Sequence, residues 1–346
     1  MDKKKLITSL VFIIIVGAVI ISLTVSKKSY AVGTTLVDTV KALNKGSSWS
    51  AGASGVYYTN SHEYRYIGSE VNNYVSFNND LYRIIGVFDS NSHGVSGTEM
   101  VKLIRARILG GATWGVYNTD NSTGTYSGYG NDWTGKFKKS KANLNVLLNE
   151  YFYNKTSTSS TYGDCANWTY FYSGNGYKTK DCSGIITYGI DSSLRGYIEN
   201  ATWYLYGSGT GQSKQNWYLC ERGGNSCTTS GPNKGDASVT SKMGLMYLSD
   251  YLYASGYYSS TDTTNQETRY YGNKNWLYKG HEWTQTPSAS GAYGVWTVID
   301  GRAYNEEPLH SYVWRPTFYL KSSVYVTGGN GSFDNPYTIA CDNCTE

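Results

Sequence analysis

Charged side chains are scarce in this chain, making up 16% of its 346 residues against a usual fraction of about 25%. Histidine is scarcer still: His62, His93, His281 and His310 are scattered, none at HxxxH spacing, and read as loop or surface residues. No Gly-x-Ser-x-Gly elbow, Walker phosphate loop or HExxH pair occurs, so serine-hydrolase, nucleotide-hydrolysing and zinc-protease chemistry lack their parts. The formal charge is +4, but Lys3, Lys4, Lys5, Lys27, Lys28 and Asp2 all lie in the first 31 residues. The remainder carries equal numbers of acidic and basic side chains, which excludes the electrostatic footprint that nucleic-acid binding requires. No repeat of solenoid period is visible.

In place of charge the chain carries aromatic area and glycine, with 35 Tyr, 10 Trp and 39 Gly. Its length suits one large domain with insertions or two ordinary ones. Leu6 to Val25 is uncharged and apolar, and a helix of that length, at about 1.5 Å per residue, matches a hydrocarbon core of roughly 30 Å. The lysines before it predict a cytoplasmic N-terminus with the rest outside. Ser29-Tyr30-Ala31 is a small-x-small pattern that signal peptidase accepts, so two localisations are open: a single-pass cell-membrane protein with an extracellular C-terminal domain, or a secreted one cleaved after Ala31. Six cysteines suit an oxidising compartment, and their order suggests Cys165 with Cys182, Cys220 with Cys227, and Cys341 with Cys344. Zinc is the competing reading of the C-terminal CxxC, which has no second CxxC or HxxxH at finger spacing; no metal site is assigned.

Periodicity predicts three parts: 1–31 as lysines with anchor or signal, 32–55 as a short stalk helix (Thr35 to Leu43) and linker, and 56–346 as the extracytoplasmic domain. Strands are expected at Tyr64 to Ile67, Tyr74 to Phe77, Leu81 to Phe88 and Met100 to Ala106, with Asn78-Asn79-Asp80 as a hairpin turn. A helix capped by Ser140 is expected to bury Leu144, Leu147, Leu148 and Tyr151, and a second to run from Ser192 to Leu205. Thr156 to Ser183 reads as a disulfide-closed insertion. Trp217 to Cys220, Lys242 to Leu248 and Tyr312 to Lys321 read as strands, Asp300-Gly301 as a hairpin turn after Val295 to Ile299, and Val324 to Thr327 as the partner of Tyr337 to Ala340. Strands at both ends with helices between define an α+β fold.

Several segments in order, Tyr66-Ile67-Gly68, Tyr74-Val75-Ser76-Phe77-Asn78-Asn79, Leu81-Tyr82-Arg83-Ile84-Ile85-Gly86-Val87-Phe88, Leu148-Asn149-Glu150-Tyr151-Phe152-Tyr153-Asn154, Gly244-Leu245-Met246-Tyr247-Leu248-Ser249-Asp250-Tyr251 and Trp314-Arg315-Pro316-Thr317-Phe318-Tyr319-Leu320-Lys321, resemble a bacterial surface-protein family with the C-type-lectin-like fold, shared by formylglycine-generating enzymes. The resemblance covers most of Tyr64 to Ile339. It implies a C-type-lectin-like domain with disulfide-closed insertions that meets ligands through loops beside its late strands. Calcium-bridged sugar binding is not implied: Glu307-Pro308 is followed by Leu309, and Asn131-Asp132-Trp133 reverses the Trp-Asn-Asp of calcium-dependent sugar-binding lectins. The enzyme's Arg-Gly-Gly has a counterpart only in Arg222-Gly223-Gly224, which reads as a turn.

Tyr82, Trp203, Tyr247 and Tyr319 fall at core positions. Trp283, Tyr293, Trp296 and Tyr304 lie near loops and are the aromatic ligand candidates; Arg302, Asn305, Glu306, Glu307 and His310 supply charge and amide in the same stretch. Glu306 and Glu307 are neighbours, whereas glycosidase carboxyls flank a bond from separate elements. The expected function is a non-catalytic recognition module for a glycan or protein, without cofactor; an enzyme of the formylglycine-generating type and a structural envelope component are the alternatives.

Overall fold

Asn78 and Asn79 both take left-handed backbone conformations, with φ of 56° and 54°, as a type I′ turn demands. In the computed structural model they close a hairpin between Tyr74–Phe77 and Asp80–Phe88, with Tyr74 opposite Arg83 and Phe77 opposite Asp80. The structure describes residues 33–50, 52–115, 117–118, 128–129, 133–134, 141–161, 163–164, 183–207, 213–224, 237–256, 274–288, 294–308 and 310–346. The predicted Leu6 to Val25 helix, the site after Ala31 and the Cys165 to Cys182 closure lie outside these residues. Among the described residues no helix is long and apolar enough to cross a membrane.

Asp80–Phe88 is the centre of an eight-stranded sheet. Met100–Arg105 lines one of its edges, while Tyr74–Phe77 and Tyr64–Ile67 share the other, one against each half. Gly55–Tyr58 and Thr317–Tyr319 extend the sheet outward. Tyr337–Ala340 runs parallel to Tyr74–Phe77 and antiparallel to Tyr325–Gly328, the pairing expected of these last strands. Every residue of Met100–Arg105 is buried, so the sheet is covered on both faces at this strand, and its Val, Ile and Leu side chains belong to the main core.

A five-stranded sheet stands beside it in the order Arg302–Glu306, Val295–Ile299, Glu282–Pro287, Ser311–Trp314, Gly110–Thr113. The predicted turn is present, with φ of 49° at Asp300 and 78° at Gly301. An L side chain in this conformation costs about 1–2 kcal/mol, so Gly301→Val is expected to lower stability by about that amount in a urea titration, and Asp300→Gly to leave it equal or higher.

The predicted single strand from Tyr312 to Lys321 is two. Pro316 has no N–H for a ladder, and at Arg315-Pro316 the chain leaves the five-stranded sheet for the central one, where Phe318 faces Leu103. Three other expectations are corrected. Helix Ser192–Arg195 is short, and Ala201–Tyr204 is a strand paired with Ser238–Ser241, as Thr202, Trp203 and Tyr204 favour. Trp217 to Cys220 is helical within Lys214–Glu221, because the Ser213 hydroxyl accepts from the Asn216 N–H and caps it. From Lys242 to Leu248 only Gly244 bridges, to Thr317, before helix Leu248–Tyr253 begins.

Leu144, Leu147, Leu148 and Tyr151 are fully buried as expected, on a helix from Asn143 to Val146 that continues as a π-helix over Leu147–Phe152. Its cap is Ala142; Ser140 lies outside the described residues. The stalk helix is not a stalk. Leu36–Ala42, capped by Thr35, sinks Leu36, Val37 and Val40 into the main core, and Thr35 bridges Tyr325. The compact unit therefore runs from Thr34 to Glu346 rather than from Val56. Cys341 and Cys344 are joined as predicted. Cys220 is also disulfide-bonded, while Cys227 lies outside the described residues.

Candidate functional site

The candidate ligand residues separate by burial. Trp283 and Trp296 are 0% and 1% exposed, which corrects their assignment as ligand contacts. The Trp283 indole donates to the Ala112 carbonyl at 2.8 Å, and Trp296 meets Trp217 edge to face at 4.7 Å between ring centres. Trp283 and Trp296 both lie on strands, and a tryptophan on an inner sheet face packs before it binds. Tyr293 lies outside the described residues.

The others follow one another along the edge strand Arg302–Glu306 and the connection to strand Ser311–Trp314. Arg302, Tyr304 and Glu306 alternate along the edge strand rather than in a loop, so strand periodicity sends them to one side. Tyr304 is 38% exposed, Asn305 and Glu307 are exposed, and Arg302, Glu306 and His310 are half-buried. An Arg302 N–H donates to the Tyr304 hydroxyl at 3.4 Å. His310 Nδ1 stands 3.9 Å from Glu306 Oε2 and 3.3 Å from the Tyr312 hydroxyl.

Sequence reasoning left out three members of this face: Tyr312, His281 and Asp300. The Tyr312 ring lies between two imidazoles, each 5.8 Å away between ring centres, and rests on Trp283 at 4.9 Å. His281 Nε2 is 3.1 Å from Asp300 Oδ1. Burial and the Glu306 charge push the Tyr312 hydroxyl up to about 12, so it remains protonated and able to donate. The result is a ring backed by buried tryptophan and flanked by two imidazoles, with the Glu306 carboxylate near. Such a face can stack on an apolar ligand surface and exchange hydrogen bonds around its rim. The alternation of His310 and Tyr312 before a buried Trp314 was the available signal.

A second concentration of chemistry is internal. Arg65 on the central sheet donates to Glu63 Oε2 at 2.6 and 3.0 Å and to Asp250 Oδ1 at 2.8 Å. Lys102 donates to Asp250 Oδ2 at 2.6 Å. All four side chains are at most 1% exposed. Tyr247, Trp203, Tyr319 and Phe88 surround the Lys102 ammonium with ring centres at 4.4 to 5.4 Å. Burial pulls the lysine down to about 8, helped by the Arg222 and Arg65 charges and opposed by Asp250. Burial pushes Asp250 upward, but Lys102 and Arg65 outweigh it and hold the carboxyl down at about 2. Arg222, read as part of a bland turn, is buried over Tyr218 at 3.8 Å, with Glu221 beside it at 3.5 Å.

His93, expected at the surface, is fully buried beside this cluster. Its Nδ1 accepts from the Val95 N–H at 3.2 Å and its Nε2 donates to the Phe88 carbonyl at 3.1 Å, an arrangement only the neutral ring can make. Burial holds its pKa below the ordinary 6.5. The stability it confers is complete above pH 6.5 and drains away as pH falls, until the folded-state ring itself protonates. A denaturation series from pH 7.5 to 5 is expected to show this decline, and His93→Gln to flatten it.

Among the described residues no three His, Cys, Asp or Glu side chains stand where they could share a metal ion. Against protein-family models, curated proteins and solved structures the chain has no match.

Proposed function

We propose that this protein is a recognition module of C-type-lectin-like architecture, displayed outside the cell, whose ligand meets the face formed by Tyr304, Tyr312, His281, His310, Arg302 and Glu306. The observation that carries the reading is the half-exposed Tyr312 ring, seated on buried Trp283 and bracketed by two imidazoles, each within reach of a carboxylate. An aromatic ring with acceptors and donors on its rim suits the apolar face and hydroxyl edge of a sugar, so a glycan is favoured over a protein ligand. Display outside the cell is supported by the Cys341–Cys344 disulfide and the bonded Cys220, since such bonds persist in oxidising compartments. The central sheet joining both ends of the unit, with a second sheet carrying the late strands, supports the architecture. Formylglycine-type chemistry needs reactive thiols, which Cys220, Cys341 and Cys344 do not offer while bonded.

A glycan and surface-protein array, probed with the full chain and with a Tyr304→Ala, Glu306→Ala, His310→Ala triple variant, tests the site. The variant is expected to lose at least tenfold in binding while its stability changes by only about 0.5 kcal/mol per substitution. Undiminished binding by the variant places the ligand elsewhere.

A further inference from the structure

The Lys102 and Asp250 pair differs from an ordinary salt bridge in its surroundings. Both side chains are 0% exposed and their N and O atoms stand 2.6 Å apart, so the amine nitrogen is in contact with an oxygen one bond from the carboxyl carbon. Four aromatic rings wall the nitrogen off from water. The two carboxyl oxygens are also differently held. Oδ1 accepts from the Arg65 guanidinium at 2.8 Å, while Oδ2 accepts from Lys102 and from the Tyr247 backbone N–H at 2.9 Å.

We propose that Lys102 and Asp250 condense into an intramolecular amide. In this low-dielectric pocket the ammonium passes a proton to Oδ2, leaving an amine beside a carboxylic acid. The nitrogen lone pair attacks Cγ, and the charge that develops on Oδ1 falls where Arg65 already donates. The Cγ–Oδ2 bond breaks, and Oδ2 departs as water with two of the three ammonium protons; the third stays on the amide nitrogen. No oxidant or other reactant enters the balance. Two features favour the product: the groups are held together before reaction, and condensation removes a pair of charges whose burial is costly. The remaining cluster stays balanced, Arg65 against Glu63 and Arg222 against Glu221.

The depressed Lys102 supports the step, since its amine form is reached near pH 8. Asp250, held ionised in the resting pair, must receive the proton from Lys102 itself, which their direct contact allows. The link would join the central sheet to helix Leu248–Tyr253 across 148 residues of sequence. It does not depend on the ligand face and stands or falls separately from it.

The test is the intact mass of the full chain, denatured, with its disulfides reduced and its N-terminus mapped. The wild-type chain is expected to be lighter than its sequence by one water, and a tryptic digest to join the peptides holding Lys102 and Asp250. Lys102→Arg and Asp250→Ala are expected at full mass. Wild-type protein that is folded by near-ultraviolet circular dichroism yet carries its full mass overturns the proposal. So does a water loss that persists in Lys102→Arg.

Discussion

Replacing Arg65 by methionine is expected to lower the stability of the domain by about 3–5 kcal/mol, the usual cost of removing one partner from a buried ionic pair. The methionine fills much of the same space, so lost packing contributes little. What remains is Glu63, whose carboxylate accepts two guanidinium donors from Arg65 and a hydroxyl from Ser92 in a fully buried site. Urea denaturation of the two proteins at pH 7 measures the difference. A loss below about 1 kcal/mol would mean that the cluster behaves as a surface ion pair does, in conflict with its burial. Exchanging Glu63 for glutamine in the methionine variant is expected to recover part of the loss, because the uncompensated charge is then gone.

Trp296→Ala is the second large effect, expected to cost about 3–5 kcal/mol of stability. The ring is 1% exposed and packs edge to face on Trp217, so its removal opens a cavity between the five-stranded sheet and helix Lys214–Glu221. Tyr304→Ala, on the neighbouring strand with the ring 38% exposed, is expected to change stability by only about 0.5 kcal/mol. Thermal melts of the two variants side by side separate a packing residue from a contact residue. Comparable losses in both would show that Tyr304 is structural and remove it from the ligand face.

Local chemistry explains which parts of this molecule could be read in advance. Asn78-Asn79 and Asp300-Gly301 announce their turns because few residues tolerate a positive φ, and the strands on either side follow from them. Leu144, Leu147, Leu148 and Tyr151 mark a helix by spacing alone. Where spacing misled, a tertiary partner or a single residue had overridden it. Trp217, Tyr218 and Cys220 favour a strand by type, yet Ser213 caps a helix through them. Pro316 divides a run of strand formers between two sheets. The candidate face was partly legible, since Arg302, Tyr304, Glu306 and His310 lie close in sequence, whereas His281 joins them only through the parallel pairing of Glu282 with Val313. The ionic cluster could not be read at all. Glu63, Lys102, Arg222 and Asp250 come from four distant segments, and nothing about any one of them signals burial.

The closing of the central sheet sets a schedule for the birth of this protein. Its Tyr74–Phe77 strand waits for Tyr337–Ala340, and the backbone at Thr34 and Leu36 waits for Val324 and Val326. A nascent chain thus keeps the outer edge of its Tyr74–Phe77 strand unpaired until Tyr337 and Thr338 have been made. Pairings of such long reach form slowly, since the loop must close before any contact rewards it. A chain that cannot complete its core early remains only partly folded during synthesis, and an incompletely packed polypeptide can be threaded through a narrow membrane channel. The topology that delays folding would keep the chain fit for the export proposed here, and assembly would then finish on the far side.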